Sequence, residues 1–188
     1  MLNACVATPP KHLDNVCHIF DEKSGWYKKA KKASKRWNVP IPVNMAFMHQ
    51  ESRFVAKAKP PRKKILGFIP GPRPSSSYGY SQAKTDTWNW YRKKSGRGGA
   101  ERNDFGDAID FVAWYNHISV NKSGVKSHDA HRLYLAYHEG HGGYSRGTYR
   151  KKSWLVDVAK KVDARAKRYT SQLTQCEDRL NSSRWWPF

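Results

Sequence analysis

Met45-Ala46-Phe47-Met48-His49-Gln50-Glu51-Ser52-Arg53-Phe54 is the stretch on which the reading of this chain turns. It sets one carboxylate, Glu51, directly after an apolar run. Desolvation disfavours the charged form of a carboxyl, so Glu51 is expected to hold its proton near neutral pH. A proton held there is what a general acid gives to a leaving group. Glu-Ser alone is an ordinary dipeptide. Two downstream segments give it weight: Tyr78-Gly79-Tyr80-Ser81-Gln82, and Ala136-Tyr137-His138-Glu139-Gly140.

Working outward, Pro42 opens a helix that runs to Glu51, a position where proline is tolerated in the first turn. A basic helix is expected upstream, from Leu13 to Trp37, ending before Pro40. Residues 1–12, with Pro9-Pro10, read as an extended tether. Downstream, residues 57–77 change character: Pro60, Pro61, Pro70, Pro72 and Pro74 surround the apolar patch Ile65-Leu66-Gly67-Phe68-Ile69, and Ser75-Ser76-Ser77 closes the segment. A long irregular loop or hairpin is expected, of a length that is often functional. Helical patterns resume at 83–94 and again through Ile109, Val112, Ala113 and Asn116, where a buried, hydrogen-bonded amide is expected at Asn116. Ser127 reads as the N-cap of the next helix, which continues through Ala130, Leu133 and Tyr137 to a stop at Gly140. Gly142-Gly143 and Gly147 read as a loop before a long C-terminal helix. The fold class is mainly α, one domain over 13–180, with a tail at 181–188.

A chain of 188 residues can bury a real core. Its 35 Lys+Arg against 15 Asp+Glu give a net charge of +20, a field that attracts polyanions: nucleic acid, anionic lipid or a carboxylate-bearing wall polymer. The bland alternative is a solubilising charge excess. The basic clusters are spread over 28–36, 62–64, 92–97, 150–152 and 160–168. A nucleic-acid-binding tail carries one block of like charge, so a general field over a folded body fits better.

There are three cysteines. Leu2-Asn3-Ala4-Cys5 looks like a bacterial lipobox, which implies lipidation of Cys5; the alternative is an ordinary N-terminal thiol. The charged and apolar parts of a signal peptide are missing, so the chain is read as starting near the cleavage site, with Met1 an introduced start or a trimmed remnant. Leu13, Val16, Cys17 and Phe20 share one helical stripe, and Leu155, Val158, Val162, Ala166, Tyr169, Leu173 and Cys176 share another. A Cys17–Cys176 disulfide would close nearly the whole chain and imply an oxidising compartment. Two buried thiols are the alternative. No apolar run is long enough for a transmembrane helix.

The order Glu51-Ser52, then Gly79-Tyr80-Ser81-Gln82, then Ala136-Tyr137-His138-Glu139-Gly140 resembles the catalytic domain of the soluble lytic transglycosylases. The resemblance covers about residues 40–144 and implies a lysozyme-like fold that cleaves peptidoglycan. Glu51 matches the catalytic acid of that family. Gly79 and Gln82 match a segment that lines the sugar groove, and Tyr137 matches a tyrosine beside the acid. The family usually has Gly-Leu-Met-Gln and Ala-Tyr-Asn-Ala-Gly in the second and third segments. Here Tyr80-Ser81 and His138-Glu139 depart from that pattern, and Gln82 follows Glu51 by 31 residues, longer than usual because of the Pro-rich segment.

Ordinary glycosidases flank the bond with two carboxylates. The resemblance implies one: a glutamate that protonates the oxygen between N-acetylmuramic acid and N-acetylglucosamine, then takes the proton of the C6 hydroxyl as a 1,6-anhydro ring closes. The N-acetyl group is the implied stabiliser of the cation. Lysozyme keeps its acid protonated by the same environmental means. Glu139 is either a second substrate-contacting carboxylate or a structural one paired with a nearby His or Arg. Tyr78, Tyr80, Tyr144 and His138 are candidate sugar contacts, with packing as the alternative for each tyrosine.

His138-Glu139-Gly140-His141 lacks the two-residue gap between Glu and the second His that a zinc helix needs. His128 and His131 stand at one-turn spacing with no cysteine pair to help them. No metal or cofactor is expected. The resulting expectation is a monomeric lytic transglycosylase acting on peptidoglycan strands, anchored to a membrane through Cys5 in the periplasm of a Gram-negative bacterium, as an outer-membrane lipoprotein. A hydrolytic muramidase, a silent wall-binding module and a nucleic-acid-binding protein are the competing readings, although no nucleic acid is expected.

Overall fold

The structure, a computed structural model, describes residues 8–62, 64–65 and 69–182. Cys5 with its lipobox, residues 66–68 of the apolar patch and residues 183–188 of the tail lie outside the described residues. The fold is mainly helical and lysozyme-like, with α1 Val16–Glu22, α2 Trp26–Trp37, α3 Ile41–Ser52, α4 Thr85–Ser95, α5 Phe105–Ser123, α6 Ala130–Ser145 and α7 Ser153–Ser182. The Pro-rich segment carries a short antiparallel hairpin, β1 Lys64–Ile65 and β2 Ile69–Pro70, with Lys64 opposite Pro70 and Ile65 opposite Ile69.

α3 is the centre. Every residue from Ile41 to His49 is buried, as befits a helix whose sequence is apolar all round. α7, α2 and α5 pack around it. Arg53 and Phe54 then both adopt left-handed backbone (φ 51° and 60°), uncommon for residues with side chains. This double turn ends the helix at Glu51-Ser52 and drives Phe54, fully buried, back against Trp26 and His49. The cost of two left-handed residues falls immediately after the candidate acid, where backbone strain is often concentrated.

The expected helix over 13–37 is two helices. Gly25, at φ 80°, supplies a left-handed turn that a residue with Cβ resists, and the chain changes direction between α1 and α2. The turn aims Trp26 inward, where it stacks on Phe105 at 3.7 Å. α2 then buries Trp26, Tyr27, Ala30 and Ala33 and leaves most of its lysines outside. The N-terminal segment is tied down at its inner end: the backbone N–H groups of Lys11 and His12 donate to the Glu22 carboxylate, and Pro10 is buried.

Asp129, not Ser127, caps α6, accepting from the Arg132 N–H. The helix does not stop at Gly140. It kinks there (φ 73°, ψ 159°) and continues through Gly142-Gly143 to Ser145, so these glycines are helical rather than a loop. Asn116 is fully buried, but neither amide atom has a hydrogen-bond partner among the described residues, unlike the paired amide the sequence suggested. Finally α7 runs back along the N-terminal elements. Cys17 and Cys176 form a disulfide with Cα atoms 6.1 Å apart, closing a separation of 159 residues. Gln172 bonds to Val16 N–H and Asp14 C=O, and Arg179 holds Asp21 through two hydrogen bonds.

Candidate active site

Glu51 ends the central helix at the floor of a cleft that it shares with Gln82, Lys84, Tyr115, Tyr137, His138 and Glu139. Its neighbours explain its chemistry. Phe47, one turn earlier on α3, meets Tyr134 and Tyr137 edge-on, each at 5.3 Å. Tyr134 Oη donates to Glu51 Oε1 at 2.9 Å. Burial among these rings raises the Glu51 carboxyl to about 7, against the opposing pull of the Tyr134 hydrogen bond. Glu51 therefore holds its proton for a substantial fraction of the time at neutral pH.

The second segment is a tight loop. Tyr78 and Ala83 bridge across it. At Gly79 (φ 76°) a Cβ would come within 2.1 Å of the Arg102 carbonyl oxygen, so only glycine fits. Gln82, itself left-handed at φ 49°, spends its amide N–H groups on the carbonyls of Gly79 (2.8 Å) and Ala58 (3.1 Å). The amide is thus fixed in place at the cleft wall. Tyr137 Oη donates to the Ser81 carbonyl at 2.7 Å and so locks α6 to this loop. Tyr115 stands beside Tyr137 with ring centres 5.2 Å apart, and its other face stacks on His141. His141 is fixed in turn by Ser119 Oγ at 3.0 Å.

Glu139 lines the same cleft in a different setting. Its side chain is 4% exposed, with Lys152 Nζ at 2.7 Å and His138 Nδ1 at 3.0 Å from Oε1, while the Thr148 hydroxyl donates to Oε2. Burial raises this carboxyl, but the Lys152, Thr148 and His138 hydrogen bonds outweigh it and bring it down to about 2. Glu139 is ionised, and both its oxygens are occupied. Of the expected His or Arg partners, the His is His138, and the cation is Lys152 rather than an arginine.

Glu51, Gln82, Tyr137, His138 and Glu139 come together in the cleft as the sequence grouped them. Other expected sugar contacts do not. Tyr80 is 1% exposed and packs edge-on against Trp26 and Phe105, so it is a core residue. Gly79 is buried and acts through its backbone. Tyr78 faces a separate cavity, and Tyr144 stacks on Tyr149 rather than lining the cleft. Sequence reasoning missed Tyr134, the direct partner of Glu51, although its three-residue spacing from Tyr137 puts both on one helical face. It also missed Tyr115, which lines the cleft, and the exposed Trp154, which meets His138 edge-on. Among the described residues no group of three His, Cys, Asp or Glu side chains is arranged to hold a metal ion.

Comparison with known proteins adds one finding. The family model described as Transglycosylase SLT domain matches residues 1–176. Neither the curated proteins nor the solved structures yield a match to the chain. With a family match over nearly its whole length, and a glutamate near the end of its central helix where the family's acid is expected, this chain belongs to the transglycosylase SLT-domain family.

Proposed function

We propose that the protein is a peptidoglycan lytic transglycosylase that uses Glu51 first as acid and then as base. The observation that carries the reading is the contrast in the cleft: one carboxyl poised near neutrality, and a second whose oxygens are both engaged. Protonated Glu51 gives its proton to the glycosidic oxygen as the bond to C1 breaks. The cation at C1 draws on the N-acetyl carbonyl of the same sugar. Ionised Glu51 then takes the proton of the C6 hydroxyl, whose oxygen bonds to C1 and closes the 1,6-anhydro ring. Glu51 ends protonated, and no water is consumed. Tyr134 steadies the carboxylate form between the two transfers.

The usual hydrolytic alternative employs a second carboxylate to activate water or attack C1, although substrate-assisted glycosidases do without one. Glu139 lines the cleft, but Lys152, His138 and Thr148 hold it, so it is poorly placed to do either. Digestion of purified sacculi by wild type and Glu51→Gln, with mass analysis of fragment ends, tests the choice. Anhydro ends from wild type and none from the variant are expected; reducing ends alone would make the protein a hydrolase, and full activity of Glu51→Gln would remove Glu51 from the chemistry.

The reading extends to a lipid-anchored periplasmic protein. It is supported by Leu2-Asn3-Ala4-Cys5 and by a disulfide of the kind that persists in oxidising compartments. A Cys5→Ser change should move the protein from the membrane to the soluble fraction.

A further inference from the structure

A second cavity, of about 340 Å³ against about 310 Å³ for the Glu51 cleft, lies at the base of the Pro-rich segment. Lys59, Arg73 and Arg102 surround Tyr78 there, with the seryl run 75–77 as a wall. Lys59 Nζ and the Arg102 guanidinium both sit over the Tyr78 ring, at 5.5 and 5.2 Å from its centre. Among the described residues no carboxylate pairs with any of these three cations. Elsewhere Arg36, Arg97, Arg165, Arg168 and Arg179 each have an acidic partner. Three like charges around one cavity are unfavourable by themselves and are relieved by a bound anion.

The donors suit a carboxylate. Arg102 spends Nη1 on the carbonyls of Ser76 and Ala83, which fixes the guanidinium plane. Arg73 is held by the Pro60 carbonyl. The Ser75 and Ser76 oxygens accept from the N–H groups of Ser77 and Thr85, so their own O–H protons remain to be donated. The Tyr78 ring offers an apolar surface for small side chains next to the charges. The cavity is also coupled to the catalytic loop: Tyr78 lines it, and its bridge partner Ala83 lines the Glu51 cleft. Bridged strands lie roughly 5 Å apart, and each residue of extended peptide reaches roughly 3.5 Å. A peptide a few residues long, attached to a sugar in the cleft, therefore reaches roughly 10 Å, past this bridge.

We propose that this cavity is a subsite for the carboxylates of the peptide carried by the glycan strand. The proposal rests on the transglycosylase reading, and its test is one of binding, so the two can fail separately. The non-cleaving Glu51→Gln protein is measured for affinity to intact sacculi and to sacculi whose peptide carboxylates have been amidated with a carbodiimide and ethylamine. Amidation should weaken binding by roughly fivefold, as expected for two or three partly exposed ion pairs. Lys59→Ala/Arg73→Ala, both at exposed positions, should already bind about fivefold more weakly and respond little to amidation. Lys59→Glu/Arg73→Glu should bind more weakly still. Arg102 is left intact because it holds the catalytic loop. Lys28→Ala/Lys35→Ala removes the same charge from α2 and should keep the full response. If amidation leaves the parent protein's affinity unchanged, or the Lys59/Arg73 and Lys28/Lys35 pairs behave alike, the subsite is overturned in favour of the general positive field. If wild type with Glu51 restored releases no fragments from unmodified sacculi, the catalytic reading fails while the binding result stands.

Discussion

Glu51 and Glu139 line one cleft, and they differ by roughly five pH units in where they titrate, about 7 against about 2. Burial pushes both upward. Burial acts far more strongly on Glu51, and what donates to each carboxyl widens the difference. Glu51 receives one hydrogen bond from a neutral hydroxyl, that of Tyr134. Glu139 is held by the Lys152 ammonium, by Thr148 and by His138. A carboxyl becomes a proton carrier where apolar rings surround it and few donors reach it, and becomes a structural brace where a cation and hydroxyls converge. Here the brace ties the kinked α6 to Lys152, just before α7, and so steadies the part of the cleft that His138 and Glu139 line.

The most severe way to test this contrast is Glu51→Gln. The amide keeps the shape and cannot give a proton, so the rate of sacculus cleavage should fall by roughly a thousandfold or more. The fold should survive, seen as an unchanged circular dichroism spectrum and an intact Cys17–Cys176 bond.

Stability against pH should separate the two groups by sign. The Glu51 pKa is raised in the native state above its ordinary 4.5, so the folded protein binds the proton more tightly than the unfolded chain. Its contribution is greatest below about pH 4.5 and is lost as pH rises to about 7, in all about 3 kcal/mol. The Glu139 pKa is lowered, so its contribution is present above 4.5 and is lost as pH falls toward 2. Urea unfolding across this range should show the Glu51 part of the neutral-side slope removed in Glu51→Gln and the Glu139 part of the acid-side slope removed in Glu139→Gln, each read as a difference from wild type because His49, Asp14 and Asp104, whose pKa values are lowered, also titrate there. The same slope in both variants would mean that the two carboxyls are not distinct.

Glu139→Gln should act on stability more than on chemistry. It leaves Lys152 without its carboxylate and disturbs the Thr148 hydroxyl, a loss of about 1–3 kcal/mol at pH 7. Cleavage should fall less than tenfold. A well-folded Glu139→Gln protein as inactive as Glu51→Gln would break the comparison and return Glu139 to the hydrolytic role.

How far the sequence foretold this depends on whether the deciding contacts are local. Glu51 stood out because an apolar run precedes it on its own helix, although Tyr134 and Tyr137, which help to enclose it, come from α6; Gly79 stood out only through the motif it shares with the family. The inward stripes placed Cys17 and Cys176 on the faces that meet. Tyr80 was misread because nothing nearby shows that Trp26 and Phe105, from distant parts of the chain, enclose it. The break at Gly25 was written in the sequence, but the amphipathic pattern on either side of it hid the change of direction. Tyr134 and Tyr137 share one face of α6, and periodicity cannot say which hydroxyl reaches Glu51, because that depends on how α6 meets the end of α3.

That last ambiguity yields the finest test. Tyr134 donates to Glu51 and favours its ionised form, whereas the Tyr137 hydroxyl is committed to the Ser81 carbonyl. Tyr134→Phe removes one hydrogen bond of about 1 kcal/mol, so the Glu51 pKa should rise by about 0.7 unit. Activity that declines above about pH 7 in wild type should decline at correspondingly higher pH in the variant, with less than a twofold change at pH 7 if orientation is kept. Tyr137→Phe should leave that midpoint in place and instead loosen the loop that carries Gln82. A pH profile that shifts for Tyr137→Phe and not for Tyr134→Phe would exchange the two roles. A rate that falls for Tyr134→Phe at every pH, with the midpoint unmoved, would make Tyr134 a group that aims the carboxyl rather than one that tunes its proton.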